Sequence, residues 1–135
     1  MREELDKKLC EKYPDIFRDR HSLPPKMPIG FGFECDDGWY DLIDALCKRV
    51  QNHIDWENKY PQPHSEGIEQ VVATQVKEKF GGLRFYCDGG DDITRGMVAM
   101  AEEMSYRICE VCGNSGKPRS GGWIKTLCDE HTKKD

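Results

Sequence analysis

The residues whose types and spacing could do chemistry lie near the carboxyl end of the chain, where three cysteines and one histidine form two short pairs. Two residues separate Cys109 from Cys112, two separate Cys128 from His131, and fifteen lie between Cys112 and Cys128. This spacing lets each pair sit in one tight turn that points both side chains at a single ion. Three thiolates and one imidazole complete a tetrahedron and leave no position for water, so the pattern predicts a structural zinc site rather than a catalytic one.

The sequence around these four residues supports the same prediction. Gly113, directly after Cys112, suits the positive φ that such knuckles often need. Residues 114–122 are polar and glycine-rich, so they can loop out, and residues 123–127 have the composition of a strand that returns the chain to the ion. The alternative is a set of unconnected reduced thiols. Seven cysteines cannot all pair in disulfides, which favours a reducing compartment with some thiols bound to metal.

Two resemblances follow from these and other segments. The end of the chain resembles a treble-clef or zinc-ribbon finger in three segments: the knuckle CEVCG at 109–113, the strand WIKTL at 123–127, and the pair Cys128 and His131. Fingers of this type serve nucleic-acid binding, protein docking or stabilisation. The chain also resembles small uncharacterised proteins of phages and prophages. That resemblance rests on GWYDL at 38–42, QVKEKFGGLRFY at 75–86 and MSYR at 104–107. It implies an accessory gene product that acts in a bacterial cytoplasm on host machinery or host defence.

Size and composition narrow the class of protein. A chain of 135 residues and 15.6 kDa suits one domain and excludes a large multidomain enzyme. Its 10% of aromatic residues exclude a disordered tail, and its formal net charge of -5 argues against tight nonspecific wrapping of a nucleic-acid backbone. The chain has no apolar run near the ~20 residues that span a bilayer and no apolar secretory signal at its start, so we expect a cytoplasmic protein.

Apolar periodicity predicts an α+β fold with two N-terminal helices, a β-hairpin, a third helix packed on the hairpin, and the finger. The helices are expected at about 2–13, 37–56 and 92–107, and the hairpin at about 70–88. We therefore predict an α+β domain over residues 1–107 and a zinc-binding finger over residues 108–135 packed on it.

The second and third helices each carry an apolar stripe. Asp36 or Asp37 is expected to cap the start of the second helix. The face opposite its stripe is expected to be solvated, with Asp44 and Lys48 at the i, i+4 spacing of an ion pair. The stripe of the third helix is formed by Ile93, Met97, Met100, Ala101 and Met104.

The pair Gly81 and Gly82 predicts the hairpin turn, because glycine suits the positive φ of a two-residue turn. In this register Phe80 faces Leu83 and Lys79 faces Arg84. One side of the hairpin is then apolar, with Glu78 as the exception, and comprises Val76, Phe80, Leu83, Phe85 and Cys87. The other side is mostly cationic and comprises Gln75, Lys77, Lys79, Arg84 and Tyr86.

The cationic side offers a candidate ligand site. Lys77, Lys79, Arg84 and Tyr86 suit a phosphate or a phosphodiester backbone, because they combine point charges, a guanidinium and a stacking ring. The alternative is a solvated sheet face, which antiparallel sheets commonly have. A second basic cluster surrounds the finger, with Trp123 as a candidate for stacking, for docking or for covering the zinc ligands. Its cations are Lys117, Arg119, Lys125, Lys133 and Lys134.

The remaining chemistry-bearing residues give weaker signals. Asp88, Asp91 and Asp92 could bind a hard cation between strand and helix, but turn and cap roles explain them without an ion. The cysteines outside the finger lack ligand spacing and are expected to act as small buried hydrophobes: Cys10, Cys35, Cys47 and Cys87. The histidines outside the finger lie near no recognisable nucleophile, and the P-loop, dinucleotide and HExxH motifs are absent, so we expect no enzyme.

These observations lead to one hypothesis and two alternatives. We expect a zinc-stabilised, non-enzymatic binding protein, phage-encoded, that engages a host protein or complex through its acidic helical half and the loop containing Phe31 and Phe33. The first alternative is a nucleic-acid or nucleotide binder that uses the basic side of the hairpin and the finger. The second is a metal-dependent phosphodiesterase built on Asp88, Asp91 and Asp92. The sequence leaves the identity of the partner and the oligomeric state open.

Overall fold

The computed structural model describes residues 1–132 and has the α+β fold that the sequence predicted. Its helices are α1 (Glu3–Lys12), α2 (Tyr40–Lys59) and α3 (Asp92–Ser105). Its strands β1 (Val72–Lys79) and β2 (Gly82–Asp88) form an antiparallel hairpin, and β3 (Lys117–Arg119) and β4 (Lys125–Leu127) form a second, smaller one. Short 3-10 turns occur at Pro28–Phe31, Asp37–Trp39 and Asp129–His131.

The hydrophobic core lies between α2 and the inner side of the β1–β2 hairpin. Trp39, just before α2, and Val76 in β1 are both completely buried. The segment after α1 closes one end of this core, where Phe17 packs edge to face on Phe33, with ring centroids 5.0 Å apart, and on Phe85. Burying each such aromatic side chain stabilises the fold by about 1.5–3 kcal/mol, so the loop that carries Phe33 is held by the core.

The start of α2 is anchored by α1 and lacks the side-chain cap that the sequence predicted. Asp36 and Asp37 form no capping hydrogen bond there. The Asp37 carboxylate instead accepts a hydrogen bond from the backbone N–H of Arg2 at 2.7 Å. The carboxylate is therefore used to hold the two helix starts together.

A contact between α1 and α2 also replaces the ion pair predicted within α2. Asp44 Oδ1 accepts hydrogen bonds from Lys12 Nζ and from the Tyr13 hydroxyl, each at 2.6 Å. The end of α1 consequently covers this face of α2 around Asp44, which pairs with Lys12 instead of Lys48, while Asp41 and Lys48 stay exposed. The prediction of a fully solvated face was wrong because the sequence pattern of α2 alone does not reveal a neighbouring helix.

The hairpin turn lies one residue earlier than the sequence predicted. Phe80 and Gly81 are the turn residues, with φ of 53° and 84°, as in a type I′ turn. Lys79 pairs with Gly82 across the start of the ladder. Lys77 therefore lies opposite Arg84, two residues from its predicted partner.

Contacts made by the two glycines explain this register. A Cβ on Gly82 would lie 2.4 Å from the ring of Tyr106, so the close approach of that ring requires glycine in β2. The Gly81 carbonyl accepts a hydrogen bond from Thr126 Oγ1 at 2.6 Å, which holds the turn against β4. Because the pairing shifts by two residues, side chains within the strands keep their predicted sides. Phe80 is the exception, since it lies exposed at the tip.

Both long edges of the hairpin are occupied. On the β2 edge two backbone N–H groups donate to side chains of α3: Leu83 to Ser105 Oγ at 2.8 Å and Phe85 to Glu102 Oε2 at 2.9 Å. On the β1 edge the backbone of Glu34 forms hydrogen bonds of 2.9 and 3.0 Å with β1. The two strands are thus flanked by a short extended segment and by α3.

The apolar stripe of α3 is largely exposed. A capping box of Asp91 and Thr94 begins the helix, which settles Asp91 as a cap, and the residues that α3 buries are Thr94, Ala101 and Ser105. The Thr94 hydroxyl accepts a hydrogen bond from Asp91 in the cap, and the Ser105 hydroxyl accepts one from Leu83 at the hairpin edge. Of the predicted stripe, Ala101 is buried, Met97 is half-buried, and the other members are exposed: Ile93, Met100 and Met104. The stripe therefore borders α2 at the surface, and most of its side chains are not buried in the core.

None of the helices within residues 1–132 is both long enough and apolar enough to cross a bilayer. The longest, α2, has 20 residues and carries charged side chains along its length. A cytoplasmic location stays a prediction from the sequence.

The positive φ of Phe80 generates a stability prediction. An L-residue other than Gly, Asn or Asp in this conformation is strained by roughly 1 kcal/mol, and Asn-Gly is the preferred type I′ pair. We expect Phe80→Asn to raise the free energy of unfolding by about that amount in urea titrations. Phe80→Ala is the control, because it removes the same exposed ring but keeps the strain. Equal stabilities of the two variants would contradict the account.

Candidate metal centre

The structure brings the four predicted ligands together. The ligand atoms of Cys109, Cys112, Cys128 and His131 all lie within 4.8 Å of one another. The Sγ atoms of Cys112 and Cys128 are 3.7 Å apart, and His131 Nδ1 lies 3.7 Å from Cys109 Sγ and 3.1 Å from Cys128 Sγ. Tetrahedral zinc with ordinary bond lengths separates its sulfur and nitrogen ligands by about 3.6–3.8 Å. The donor set and most of these spacings therefore fit a single ion.

Local backbone geometry positions each pair of ligands. In the first turn the Cys109 carbonyl accepts a hydrogen bond from the N–H of Gly113 at 2.9 Å, and Gly113 has the predicted positive φ, at 83°. In the second, the Cys128 carbonyl accepts from the Thr132 hydroxyl at 2.8 Å. The β3–β4 hairpin lies between the turns and brings the second pair back to the first.

The electrostatics of the first turn favour a metal-binding thiolate. Burial alone would raise the pKa of the Cys109 thiol, but backbone N–H groups of Cys128, Cys112 and Val111 lower it to about 6. The Cys109 sulfur is therefore mostly deprotonated at neutral pH, which is the form that binds zinc.

The centre lies at the surface, with one side against the rest of the fold. Cys109 and Cys128 are buried, whereas Cys112 and His131 are exposed. With four protein ligands, a bound ion would have no open coordination position. The residues present therefore suit an ion that stabilises structure, and zinc is the ion whose preferences this donor set fits best.

A buried carboxylate between the first two ligands docks the finger on the fold. Glu110 is only 2% exposed, and its Oε2 accepts a hydrogen bond from the backbone N–H of Asp36 at 3.0 Å. Its Oε1 is 3.3 Å from Lys125 Nζ, which also lies 3.2 Å from Glu78 Oε1. Burial raises the pKa of Glu110, and the Asp36 N–H and Lys125 oppose that rise. Sequence reasoning missed this residue because its type gives no sign of burial.

The segment before α2 receives the knuckle. The N–H of Gly38 donates to the Glu110 carbonyl at 2.7 Å, and Trp39 Nε1 donates to the Ile108 carbonyl at 2.9 Å. A Cβ on Gly38 would lie 2.1 Å from the Cys109 carbonyl oxygen, so this close packing requires glycine. The GWYDL segment thus contacts the metal centre directly, a role that the sequence pattern did not predict.

Of the predicted basic cluster around the finger, two of the three cations that the structure describes are engaged in ion pairs. Arg119 pairs with Asp129 at 2.8 Å, and Lys125 pairs with the two glutamates already described. Trp123 is 87% exposed, so it does not cover the zinc ligands. Lys117 is exposed on β3, and Lys133 and Lys134 lie outside the described residues.

The candidate ligand residues of the hairpin share one side of the sheet. Lys77 lies directly opposite Arg84, Lys79 lies two residues further along β1, and Tyr86 lies two residues further along β2. Within residues 1–132, no carboxylate comes within ion-pair distance of these three cations. Whether they bind a ligand stays a prediction at this point.

The predicted cation site at Asp88, Asp91 and Asp92 does not form. Asp91 caps α3 and its Oδ2 lies 2.9 Å from His53 Nε2, while Asp92 pairs with Arg95. Across the described part of the chain, three or more potential metal ligands converge only at the finger. The other cysteines fit the expected packing role, since Cys35 and Cys47 are buried and Cys10 and Cys87 are half-buried.

Comparisons of the chain with protein-family models, with curated proteins and with solved structures found no match. The interpretation of the centre rests on its donor set, its spacing and its surroundings.

The centre predicts that one cysteine substitution removes both the ion and stability. We expect about one zinc per chain, measured by elemental mass spectrometry, and loss of that zinc in Cys112→Ser. Structural zinc contributes several kcal/mol, so the melting temperature should fall by about 10 °C or more. Cys10→Ser is the matched control and should keep the zinc. A zinc-free wild-type protein, or an unchanged melting temperature in Cys112→Ser, would contradict the assignment.

The docking carboxylate predicts a second effect, separate from coordination. Glu110→Ala leaves the Asp36 N–H without its acceptor and leaves Lys125 with Glu78 as its remaining partner, which should lower the free energy of unfolding by about 2 kcal/mol. Urea titration of the zinc-loaded protein measures this change. Glu130→Ala alters an exposed glutamate in the same finger and should stay within about 0.5 kcal/mol of the wild type. Similar losses in both variants would argue against the docking role.

Proposed function

We propose that the chain is a zinc-stabilised binding protein without catalytic activity, and that its partner is another protein. Four protein ligands at the centre support a structural ion, because they leave no coordination position for a reacting water. Two of the three aspartates of the alternative phosphodiesterase site have other roles: Asp91 caps α3, and Asp92 forms an ion pair with Arg95. These two observations support a binding role.

One observation carries the proposal of a protein partner: an open apolar groove between α2 and α3, which we call the α2–α3 face. It has a volume of about 480 Å³. Its lining comprises Leu42, Ala45, Leu46, Arg49, Ile93, Gly96, Met97, Met100, Ala101 and Met104. Met100 is 63% exposed and Ile93 is 54% exposed. Contiguous exposed apolar surface of this kind typically marks an interaction site.

The composition of the α2–α3 face favours a helical partner. Grooves between two helices accept the apolar face of an amphipathic helix, and methionines adapt their shape to such a ligand. Gly96 lines the groove without a side chain, and the space that a Cβ would fill there has no other atom within 4 Å. The groove is therefore deeper at this position than it would be with any other residue. A glycine inside an exposed helix costs about 1 kcal/mol relative to alanine, and no contact among residues 1–132 requires it. The missing side chain at Gly96 would allow the backbone of another helix to approach α3 closely.

Arg49 adds a charge requirement to this partner. It is the single charged residue in the lining and forms no ion pair with any residue between 1 and 132. The proposed occupant is therefore an amphipathic helix of another protein that places a carboxylate opposite Arg49. The resemblance to phage and prophage proteins supports a bacterial host protein as the source of that helix.

The predicted aromatic loop is a smaller part of the proposed surface. Phe33 is buried against Phe17, so it holds the loop in place and is not free to bind a partner. Phe31 is 79% exposed, and Leu23 in the same loop is also exposed. These two side chains extend the apolar surface available for protein contact beyond the α2–α3 face.

Site-specific photo-crosslinking in bacterial cells tests the proposal. A photoreactive amino acid at position 100 should give one discrete adduct with another protein, whereas the same amino acid at the exposed position of Asp15 should not. Arg49→Glu should lower the yield of that adduct about tenfold, since it reverses the charge complementarity. Absent adducts, adducts that are equal at both positions, or an adduct made only of two copies of this chain would each overturn the proposed partner.

A further inference from the structure

The outer side of the β1–β2 hairpin presents an ordered grid of cations and rings, which we call the hairpin outer face. Its β1 row consists of Gln75, Lys77 and Lys79, and its β2 row consists of Tyr86, Arg84 and Gly82, paired across the ladder in that order. The two rows are about 4.8 Å apart, and neighbours within a row are about 6.8 Å apart. A small area therefore displays three positive charges and an aromatic ring.

The pairing of Lys77 with Arg84 points to an anionic ligand. Like charges directly opposite each other in a sheet destabilise it. The chain has 25 acidic residues, yet within residues 1–132 none comes within ion-pair distance of Lys77, Arg84 or Lys79. The nearest element on the β1 side carries Glu34, whose carboxylate instead accepts a hydrogen bond from Gln75. An added anion would neutralise this repulsion.

Arg84 is held in a fixed orientation on this face. Its Nη1 and Nη2 atoms donate to the Tyr106 hydroxyl at 3.3 and 3.2 Å, and Nη1 also donates to the Leu83 carbonyl at 3.0 Å. The ring of Tyr106 lies against Gly82, where a Cβ would approach to 2.4 Å. Tyr106 is thus a positioning residue for Arg84. A preoriented guanidinium loses less conformational entropy when it binds a phosphate.

Aromatic side chains border the cations at both ends. Tyr86 is 43% exposed at one end, and Phe80 is 66% exposed at the tip, where Lys79 Nζ lies 5.7 Å from its ring centroid. Phe80 keeps a strained positive φ although its ring contributes nothing to the core. The turn requires a positive φ at position 80, but it does not require a phenylalanine there, and local strain of this kind is typical of binding sites.

A cavity of about 440 Å³ adjoins Arg84 and Tyr86 and reaches α3. Arg95 lines its far side. Its one carboxylate, Glu102, accepts a hydrogen bond from the backbone N–H of Phe85. The cavity is within the size range of small-ligand sites, so it offers room beside the cations for a planar group such as a nucleobase.

We propose that the hairpin outer face binds single-stranded nucleic acid, with phosphates on Lys77, Lys79 and Arg84 and bases stacked on Tyr86 and Phe80. This goes beyond the proposed protein partner and uses a different surface. Alternating cations and rings suit a single strand, whose base faces are accessible for stacking. A duplex hides its base faces, and its binding relies on many phosphate contacts that a chain with a net charge of -5 does not favour.

Fluorescence anisotropy of the zinc-loaded full chain with labelled 12-nucleotide oligothymidylate tests this site. Three phosphate contacts on a single strand give a slope of about -2 for the logarithm of affinity against the logarithm of salt concentration. Arg84→Ala and Lys77→Ala should each weaken binding about tenfold and flatten the slope by about 0.7. Lys48→Ala, which removes an exposed cation on α2, should change neither quantity.

Two ring variants separate stacking from folding. Tyr86→Ala should weaken binding about tenfold, and Tyr86→Phe should restore it because stacking needs the ring and not the hydroxyl. Phe80→Asn should weaken binding although it stabilises the fold, a combination that a merely structural role would not produce.

Four results would overturn the site. The first is no binding at low salt and 100 µM protein, and the second is unchanged binding in the Arg84→Ala and Lys77→Ala variants. Equal or tighter binding of a 12-base-pair duplex would contradict the single-strand preference. Displacement of the oligonucleotide by adenosine monophosphate at equal affinity would identify a mononucleotide ligand instead. These outcomes are independent of crosslinking at position 100, so failure of either proposal leaves the other testable.

Discussion

The buried carboxylate of Glu110 is the interaction on which the placement of the finger depends. A charge removed from water is costly unless partners surround it. One partner is distant in sequence, since the Asp36 N–H lies 74 residues away. The other, Lys125, belongs to β4 of the finger and also pairs with Glu78 of β1. These contacts form together only when the segment before α2, β1 and the finger are all in place. The turn that carries the candidate metal ligands Cys109 and Cys112 and the segment that starts α2 are thus parts of one junction.

The sequence predicted what depends on local spacing. The four ligands were identified correctly as a cluster because ligand pairs two residues apart need only a tight turn to converge, and the structure brings them within 4.8 Å. The α+β class and the apolar inner side of the hairpin were also predictable, since helix and strand periods differ and a two-residue change of register keeps every strand side chain on its side. The structural role of Asp91 followed from the preference of aspartate for helix starts.

The errors all arise from contacts between distant residues. Gly81 and Gly82 both suit a turn, and the register depends on the ring of Tyr106 against Gly82 and on the hydrogen bond from Thr126 to Gly81. Periodicity located the stripe on α3 but could not say which part of it a neighbour covers. Two of the residues that α3 buries are small and polar: Ser105 bonds to the hairpin edge, and Thr94 belongs to the capping box. Glu110 has the composition of a surface residue, and its burial follows from partners that no local pattern reveals.

The flanks of the β1–β2 hairpin have a consequence for how the molecule behaves at high concentration. A two-stranded sheet would normally leave two rows of unsatisfied backbone groups, which recruit strands from other molecules and seed fibrils. Here Ser105 and Glu102 occupy amides on one flank, and the backbone of Glu34 occupies the other. The protein can therefore display a small, strongly β-forming ribbon on its surface without offering it as a template for aggregation.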